Sequence, residues 1–347
     1  MSEGREIGVG VIGLGFMGRT HVAAYLAAHR SGLPCRLRAV CDRSQERRSG
    51  VSDSSGNLSF GAGQDFCARS SEFEHVTVYA EPDELLADES VQLVSICTYT
   101  DTHVDLALRA LEAGKHVLVE KPVAVASRDV ERLGEAVSKA RGQVCMPAMC
   151  MRFWPGWDWL KEQVDKQTYG PVHSAWFQRL GCRPDWASEF YRDADRCGAA
   201  LVDLHIHDAD FIRWCFGDPD AVVSAGSIDH LTTIYRYQHG PDHIVAEGGW
   251  DQAEGSPFRI RFVVNFAEAT VDFDLGRDQP LFLSRAGRSE PVPLSPLTAY
   301  ELEVRYMVDA IISGRIELRA TVDDATAVAR LLEAERLSLE TGAIVRL

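Results

Sequence analysis

The segment Val117–Pro122 carries the clearest chemistry in this sequence, because an apolar run ends there in Glu120, Lys121 and Pro122. The run predicts a strand of a parallel sheet, and ligands bind at the carboxyl edge of such sheets. A lysine at that edge places a cation near a reacting oxygen, where it stabilises developing alkoxide charge and shares in proton transfer. We therefore predict that Lys121 is a catalytic residue.

A glycine motif follows the apolar run Ile7–Ile12, since Gly13, Gly15 and Gly18 have the Gly-x-Gly-x-x-Gly spacing. The first glycine permits a tight turn, the second lets the backbone approach a diphosphate, and the third allows close packing of helix and strand. A diphosphate then lies on the N-terminus of the next helix. The motif predicts a dinucleotide site.

Asp42 stands at the end of the second predicted strand, Leu37–Cys41. An acid in this position accepts hydrogen bonds from the adenosine ribose and repels a 2′-phosphate, so NAD is the predicted cofactor. NADP is the alternative, because Arg43 and Ser44 are placed to cradle that phosphate.

Asp203 and His207 lie four residues apart in a helical pattern, which places both side chains on one face of a helix. Oxidation of an alcohol needs a base that takes the hydroxyl proton while hydride leaves for the nicotinamide. Imidazole exchanges protons near neutral pH, so we predict His207 as this base. Asp203 is predicted to orient the imidazole or to hold a substrate hydroxyl.

His205 precedes His207 by two residues, and two interpretations of it stay open: packing, or a contact in the substrate pocket. A His-x-His pair is also able to bind zinc. Residues i and i+2 do not share a helix face, however, so no metal site is predicted.

Short apolar runs alternate with helical patterns through the first 125 residues, which predicts βαβ units and a doubly wound parallel sheet. From Val172 to Phe282, strands follow one another with one helix, Gly198–Phe216, among them. This pattern predicts a large, mainly antiparallel sheet in an α+β domain. The predicted domains are residues 1–124, for dinucleotide binding, and 125–347, for substrate binding and oligomerisation. The helices at Tyr300–Ile312 and Asp323–Thr341 are expected to pack against the rest.

Composition excludes several classes of protein. A net charge of -15 disfavours nucleic-acid partners, and no stretch approaches the roughly 18 apolar residues of a membrane span. Nine cysteines without a Cys-x-x-Cys pair indicate neither a disulfide framework nor a zinc knuckle, and we predict a cytoplasmic protein. The segment around Gly50–Gly63 is rich in serine and glycine, and it predicts a surface loop near the adenosine half of the cofactor.

Taken together, the glycine motif, Asp42, the run Ala113–Val117 leading into Glu120-Lys121-Pro122, and the Asp-x-x-x-His segment Gly198–His207 resemble the Gfo/Idh/MocA family of sugar and polyol oxidoreductases. The motifs occur in the family's order over residues 5–217. The resemblance implies a Rossmann domain followed by an α+β domain. It also implies oxidation of a secondary hydroxyl of a sugar, cyclic polyol or sugar derivative, or the reverse reduction, with Lys121 and His207 as the catalytic pair.

Further site residues follow from the resemblance. Cofactor contacts are expected from Gly13, Gly15, Phe16, Met17, Asp42, Arg43, Thr98, His103, Glu120 and Lys121. Substrate contacts are expected from Arg152, Trp186, Asp203 and His207, with Arg183 and Tyr191 on the same rim. His103 is also interpreted as a helix cap, and Tyr99 departs from the family by replacing a proline.

Two other functions stay open. The same fold supports an NAD-dependent glycoside hydrolase that oxidises a sugar transiently and shows no net NADH production. A non-catalytic NAD-binding protein is the third class, against which intact Lys121, Asp203 and His207 argue. By resemblance the protein is expected to be a homodimer or homotetramer.

Overall fold

The computed structural model describes residues 6–49 and 75–347, so the predicted loop around Gly50–Gly63 lies outside the described residues. The described chain divides into two compact units. The first contains residues 6–49, 75–150 and 297–326, and the second contains residues 151–296 and 327–347.

The first unit contains a six-stranded sheet with the strand order β3-β2-β1-β4-β5-β6, and every described pairing in it is parallel. Its strands are β1 Ile7–Ile12, β2 Cys35–Cys41, β3 Thr77–Tyr79, β4 Leu93–Ile96, β5 His116–Glu120 and β6 Cys145–Ala148. Its first helices are α1 Phe16–Arg30, α2 Gln45–Arg48, α3 Pro82–Ala87, α4 Thr100–Glu112 and α5 Ser127–Lys139. The predicted doubly wound parallel sheet is confirmed.

The first unit extends further along the chain than the predicted boundary at residue 124. Strand β6 pairs in parallel with β5, from Val117 opposite Cys145 to Glu120 opposite Ala148, and so completes the first sheet. The boundary prediction was wrong because pairing between distant strands, rather than local composition, decides to which sheet a strand belongs.

The second unit contains a nine-stranded sheet with the order β14-β13-β12-β11-β7-β10-β9-β8-β15. All its described pairings are antiparallel except that of β7 with β10. Its strands are β7 Val172–Leu180, β8 Ala221–Ser227, β9 His230–Arg236, β10 His243–Gly249, β11 Arg259–Phe266, β12 Thr270–Asp274, β13 Leu281–Arg285, β14 Arg288–Pro291 and β15 Val345–Arg346. The predicted, mainly antiparallel sheet is confirmed.

Helices cover one face of this sheet. They are α6 Trp157–Asp165, preceded by a 3₁₀ turn at Cys150–Phe153, and then α7 Ser188–Arg192, α8 Ala194–Cys197, α9 Ala199–Asp203 and α10 Ile206–Phe216. Trp157 is fully buried and packs edge-on against Phe211 of α10 and Phe262 of β11. Aromatic burial of this kind fixes α6 and α10 on the sheet.

The predicted helix Gly198–Phe216 is interrupted twice near its start. Gly198 and Ala199 have positive φ angles of 78° and 57°, and a Cβ on Gly198 would lie 2.3 Å from that of Val202. Leu204 and His205 then separate α9 from α10. Asp203 and His207 therefore lie on two short helices joined by a turn, rather than on one continuous helix.

Two long helices complete the described chain: α11 Ala299–Ser313 and α12 Val322–Thr341. A capping box begins α11, in which Thr298 accepts a hydrogen bond from the amide of Glu301 and the Glu301 side chain accepts one from the amide of Thr298. Helix α11 packs on α1 within the first unit. In the part of the chain that the structure describes, no helix has the length and apolar character needed to cross a membrane.

Candidate active site

Two glycines of the predicted motif are required by the backbone itself. A Cβ on Gly13 would lie 2.6 Å from the carbonyl oxygen of Cys97, and Gly13 has a φ of 91°. A Cβ on Gly18 would lie 1.7 Å from the carbonyl oxygen of Gly13. These approaches bring α1 close to the end of β1, so both positions admit glycine alone.

Gly15 is different, because a Cβ there would not clash. Among residues 6–49 and 75–347, it would meet within 4 Å only Arg47 Nη1, at 3.9 Å. Gly15, Phe16 and Met17 are all half-buried. In the described structure no side chain caps α1 and no acidic residue lies in its first turn, so neither a capping oxygen nor a negative charge opposes an anion there. The loop therefore fits the diphosphate of a dinucleotide.

Asp42 ties the glycine loop to the end of β2. Its Oδ2 accepts a hydrogen bond from the amide of Leu14 at 2.7 Å, and its Oδ1 accepts one from the amide of Ser44 at 2.8 Å. The Arg47 guanidinium lies 3.7 Å from the same carboxylate. Arg43 has an exposed side chain and offers its carbonyl to Arg48. Arg47, which was not predicted, is therefore a second cation beside the loop.

Lys121 directly follows β5 and is half-buried, whereas Val117–Glu120 are buried. Glu120 is 5% exposed, and its carboxylate accepts hydrogen bonds from His21 Nε2 at 2.9 Å and from the Lys121 amide at 3.0 Å. The peptide bond between Lys121 and Pro122 is cis. Glu120 thus holds the backbone from which Lys121 projects, and its own contact with the cofactor stays a prediction.

His103 lies inside the first unit with 1% exposure. Its Nδ1 lies 2.8 Å from the carbonyl oxygen of Pro122, and its Nε2 lies 3.1 Å from that of Thr98. Burial lowers the pKa of His103, although both carbonyls oppose that change. Both ring nitrogens therefore face backbone carbonyls rather than the amides that a helix cap would bind, and the contact of His103 with the cofactor stays a prediction. The ring joins the loop after β4 to the segment after β5.

Glu303 on α11 was not predicted from the sequence. The side chain is fully buried, and neither carboxyl oxygen has a hydrogen-bond partner in the described structure. Burial raises the pKa of Glu303 well above its usual value, and the charge of Glu120 adds to the effect. The raised pKa favours the neutral form of the Glu303 carboxyl.

In the second unit, Asp203 and His207 differ from their neighbours in burial. Every residue of Cys197–Ile212 is buried except Asp203 and His207, which are half-buried. The amide of His207 donates to the carbonyl of Leu204 across the turn between α9 and α10, at 3.3 Å. In Cys197–Ile212, therefore, only the side chains of Asp203 and His207 are partly accessible to solvent or to a ligand.

Two buried ion pairs hold α10. Asp208 accepts two hydrogen bonds from Arg179 of β7, at 2.9 and 3.1 Å, and Asp210 accepts two from Arg152, at 2.9 and 2.6 Å. Arg152 is 0% exposed. The guanidinium of Arg152 therefore lies in the interior and binds Asp210, and its contact with substrate stays a prediction.

Trp186 belongs to an aromatic cluster with Tyr191 and Trp250. The ring centroids of Trp186 and Tyr191 lie 5.7 Å apart, and those of Tyr191 and Trp250 lie 5.9 Å apart. Arg183 lies over the Trp250 ring and contacts Asp229 Oδ2 at 2.5 Å. Trp186 is half-buried, so its contact with substrate stays a prediction. Within residues 6–49 and 75–347, no group of three histidine, cysteine or acidic side chains is arranged to hold a metal ion.

The parallel sheet, the open glycine loop and the acid after β2 define an NAD-binding Rossmann domain. Residues 7–148 match the family described as "Oxidoreductase family, NAD-binding Rossmann fold", and residues 157–268 match the "GFO/IDH/MocA C-terminal domain". The chain therefore belongs to the Gfo/Idh/MocA family of oxidoreductases, as its motifs predicted.

Named relatives handle cyclic polyols and sugars. The chain is 29% identical to myo-inositol 2-dehydrogenase of Thermotoga maritima over 56% of its own length and 62% of the relative's, so it spans less than two thirds of that relative. It is 27% identical to scyllo-inositol 2-dehydrogenase (NAD(+)) of Bacillus subtilis, over 70% of this chain and 74% of the relative. It is also 27% identical to D-xylose 1-dehydrogenase (NADP(+)) 2 of Haloferax volcanii, over 78% of this chain and 85% of the relative.

Solved structures support the fold. Levoglucosan dehydrogenase in complex with NADH and levoglucosan has a TM-score of 0.81 at 21% identity, covering 98% of this chain and 99% of that chain. GenD2 from gentamicin A biosynthesis in complex with NAD has a TM-score of 0.78 at 24% identity, covering 99% of this chain and 97% of that chain. At these identities the likeness is one of fold.

Proposed function

We propose that this protein is an NAD-dependent dehydrogenase that oxidises a secondary hydroxyl of a sugar, cyclic polyol or sugar derivative, or carries out the reverse reduction. The observation that carries the proposal is that Asp203 and His207 alone are partly accessible in the otherwise buried stretch Cys197–Ile212. The inositol and xylose dehydrogenases among the relatives support the class of substrate.

In this reaction NAD supplies the hydride acceptor. The C–H bond of the alcohol breaks with hydride transfer, the O–H bond gives up a proton, and a ketone forms, or a lactone where the hydroxyl is anomeric. His207 takes the hydroxyl proton, and Asp203 orients the imidazole or holds a neighbouring hydroxyl. Lys121 stabilises the negative charge that develops on the oxygen and shares in the proton transfer.

A substrate panel tests the proposal. Purified protein with NAD is offered myo-inositol, scyllo-inositol, D-xylose, levoglucosan and aryl glycosides, and the absorbance of reduced nicotinamide is followed. We expect NADH to form with at least one polyol or sugar and to be lost in His207→Gln. Release of the aryl group without net NADH would instead identify the glycoside hydrolase. NAD binding with no turnover of any compound would favour a non-catalytic protein.

We propose that NAD is preferred over NADP because the Asp42 carboxylate repels a 2′-phosphate. Replacing Asp42 with alanine is expected to lower the preference for NAD by about tenfold, which is roughly 1.4 kcal/mol. Titration of both cofactors by fluorescence measures the ratio of their dissociation constants. Asp88→Ala is the matched control, because Asp88 also accepts a backbone hydrogen bond, from Ser90 at 2.8 Å. An unchanged ratio in Asp42→Ala would argue against this role.

Assembly as a homodimer or homotetramer is part of the proposal. The second sheet leaves one face partly uncovered, with Ile234 39% exposed. Sedimentation equilibrium measures the assembly, and a monomer at micromolar concentration would contradict it.

A further inference from the structure

His205 occupies the turn between the two helices that carry Asp203 and His207. Its amide donates to the carbonyl of Ala200 at 2.8 Å, and its own carbonyl accepts from the amides of Asp208 and Ala209, both at 3.0 Å. The backbone of His205 thus closes the last turn of α9 and opens the first turn of α10. Because these hydrogen bonds join His205 to both helices, a displacement of His205 would move the end of α9 and the start of α10.

The side chain of His205 is 0% exposed and reaches a buried acid on α12. Its Nε2 lies 3.0 Å from Oε2 of Glu335 and 3.1 Å from the hydroxyl of Tyr235. Glu335 is itself 0% exposed and accepts hydrogen bonds from the hydroxyls of Tyr235 and Thr233, both at 2.9 Å. The carboxylate therefore receives three donors, of which His205 is the one that belongs to the α9–α10 turn.

Strand β10 confines the ring from the other side. A Cβ on Gly248 would lie 2.7 Å from Nδ1 of His205. The ring is thereby held between the backbone of β10 and the carboxylate of Glu335, with little room to tilt.

Four polar groups face His205 from the elements packed against it: Glu335 of α12, Tyr235 of β9, Asp208 of α10 and Arg179 of β7. Burial alone lowers the pKa of His205, but the charge and hydrogen bond of Glu335, together with the charge of Asp208, outweigh burial and the opposing charge of Arg179. The pKa of His205 is raised as a result.

We propose that His205, locked by Glu335, is a positioning residue that sets the relative placement of Asp203 and His207 for proton transfer. This inference rests on the proposed function, in which those two residues act. A single continuous helix would fix their spacing by helix geometry alone. Here the helix is broken between them, so the placement depends on the turn and on the buried pair that holds it.

Three variants test the positioning role. His205→Gln and Glu335→Gln each remove the ionic pair, and Gly248→Ala pushes on the ring without changing its charge. We expect each to lower kcat by about tenfold or more, because small misplacements of catalytic groups are costly, while KM for NAD stays within about twofold. The double variant His205→Gln/Glu335→Gln is expected to match either single variant, since both remove the same interaction.

Ser224→Ala is the matched control. Ser224 is buried in the same network and hydrogen-bonds Thr233 at 2.8 Å, but it does not contact His205. We expect this variant to lower the melting temperature while kcat stays near that of the wild type. A purely structural network would instead lower kcat in Ser224→Ala and in the His205 variants alike, and that result would overturn the proposal.

A second readout needs no substrate. In protein labelled with ¹⁵N-histidine, the ring resonances of His207 are identified by their loss in His207→Gln. We expect them to move in Glu335→Gln and to stay in place in Ser224→Ala. Unmoved resonances, together with wild-type kcat in Glu335→Gln, would overturn the positioning role. Full activity of His207→Gln would instead refute the proposed function.

Discussion

Replacing Lys121 with alanine is expected to lower kcat by about 10²- to 10⁴-fold, the usual contribution of a group that assists proton transfer. Lys121 follows a strand whose last four residues are buried, and its amide is held by the Glu120 carboxylate at 3.0 Å. Removal of the ammonium leaves this backbone contact intact. Binding of NAD, measured by fluorescence titration, is therefore expected to change by no more than about twofold.

Two further variants define what Lys121 does. Lys121→Arg keeps the positive charge but cannot release a proton near neutral pH, so a purely electrostatic role would preserve much of kcat and a proton-transfer role would not. Lys139→Ala is the control, because Lys139 is an exposed lysine at the end of α5. Near-normal turnover in Lys121→Ala would remove Lys121 from the mechanism.

The first unit could be predicted well because each of its elements has a local signature. Strand β1 has in the structure the bounds of the apolar run Ile7–Ile12, and the apolar run that leads into Glu120 is β5, His116–Glu120. Each is a short apolar run with a turn after it, so neighbouring residues alone identify it. The spacing of the glycine motif is equally local, and Gly18 is required by its contact with Gly13 in the same loop, whereas Gly13 is required by the distant carbonyl of Cys97.

The second unit shows what local patterns miss. The hairpin of β13 and β14 was not predicted as a pair, because the four residues Arg288–Pro291 are all exposed and polar in character. The break in the helix before His207 was also missed. It coincides with the burial of His205 against Glu335, which lies on the last helix of the chain, and no pattern near residue 205 reveals that partner.

Arg152 illustrates the same limit in the candidate site. From the sequence it was expected to line the cleft, because the segment resembles the one that lines the cleft in the family. Its partner Asp210 lies 58 residues further along the chain, so only the fold reveals the pair. A buried guanidinium is tolerated because the carboxylate satisfies it with two hydrogen bonds.

That pairing leads to a large expected effect on stability. Asp210→Asn removes the carboxylate charge that faces the Arg152 guanidinium, and because both side chains are only 1% exposed, water cannot take its place. Loss of one partner from such a pair costs about 3 to 5 kcal/mol, a large share of the stability of an ordinary domain. We expect the free energy of unfolding, measured by urea titration, to fall by that amount.

Glu268→Gln provides the comparison, since it makes the same carboxylate-to-amide change in the same unit. Glu268 contacts Arg285 at 2.8 Å, but the two side chains are 59% and 49% exposed. Water screens this pair, so the free energy of unfolding is expected to fall by at most about 1 kcal/mol. Equal losses in the two variants would show that burial does not control the strength of the pair with Arg152. A much larger loss in Asp210→Asn would show that α10, which presents His207, is anchored through its buried acids.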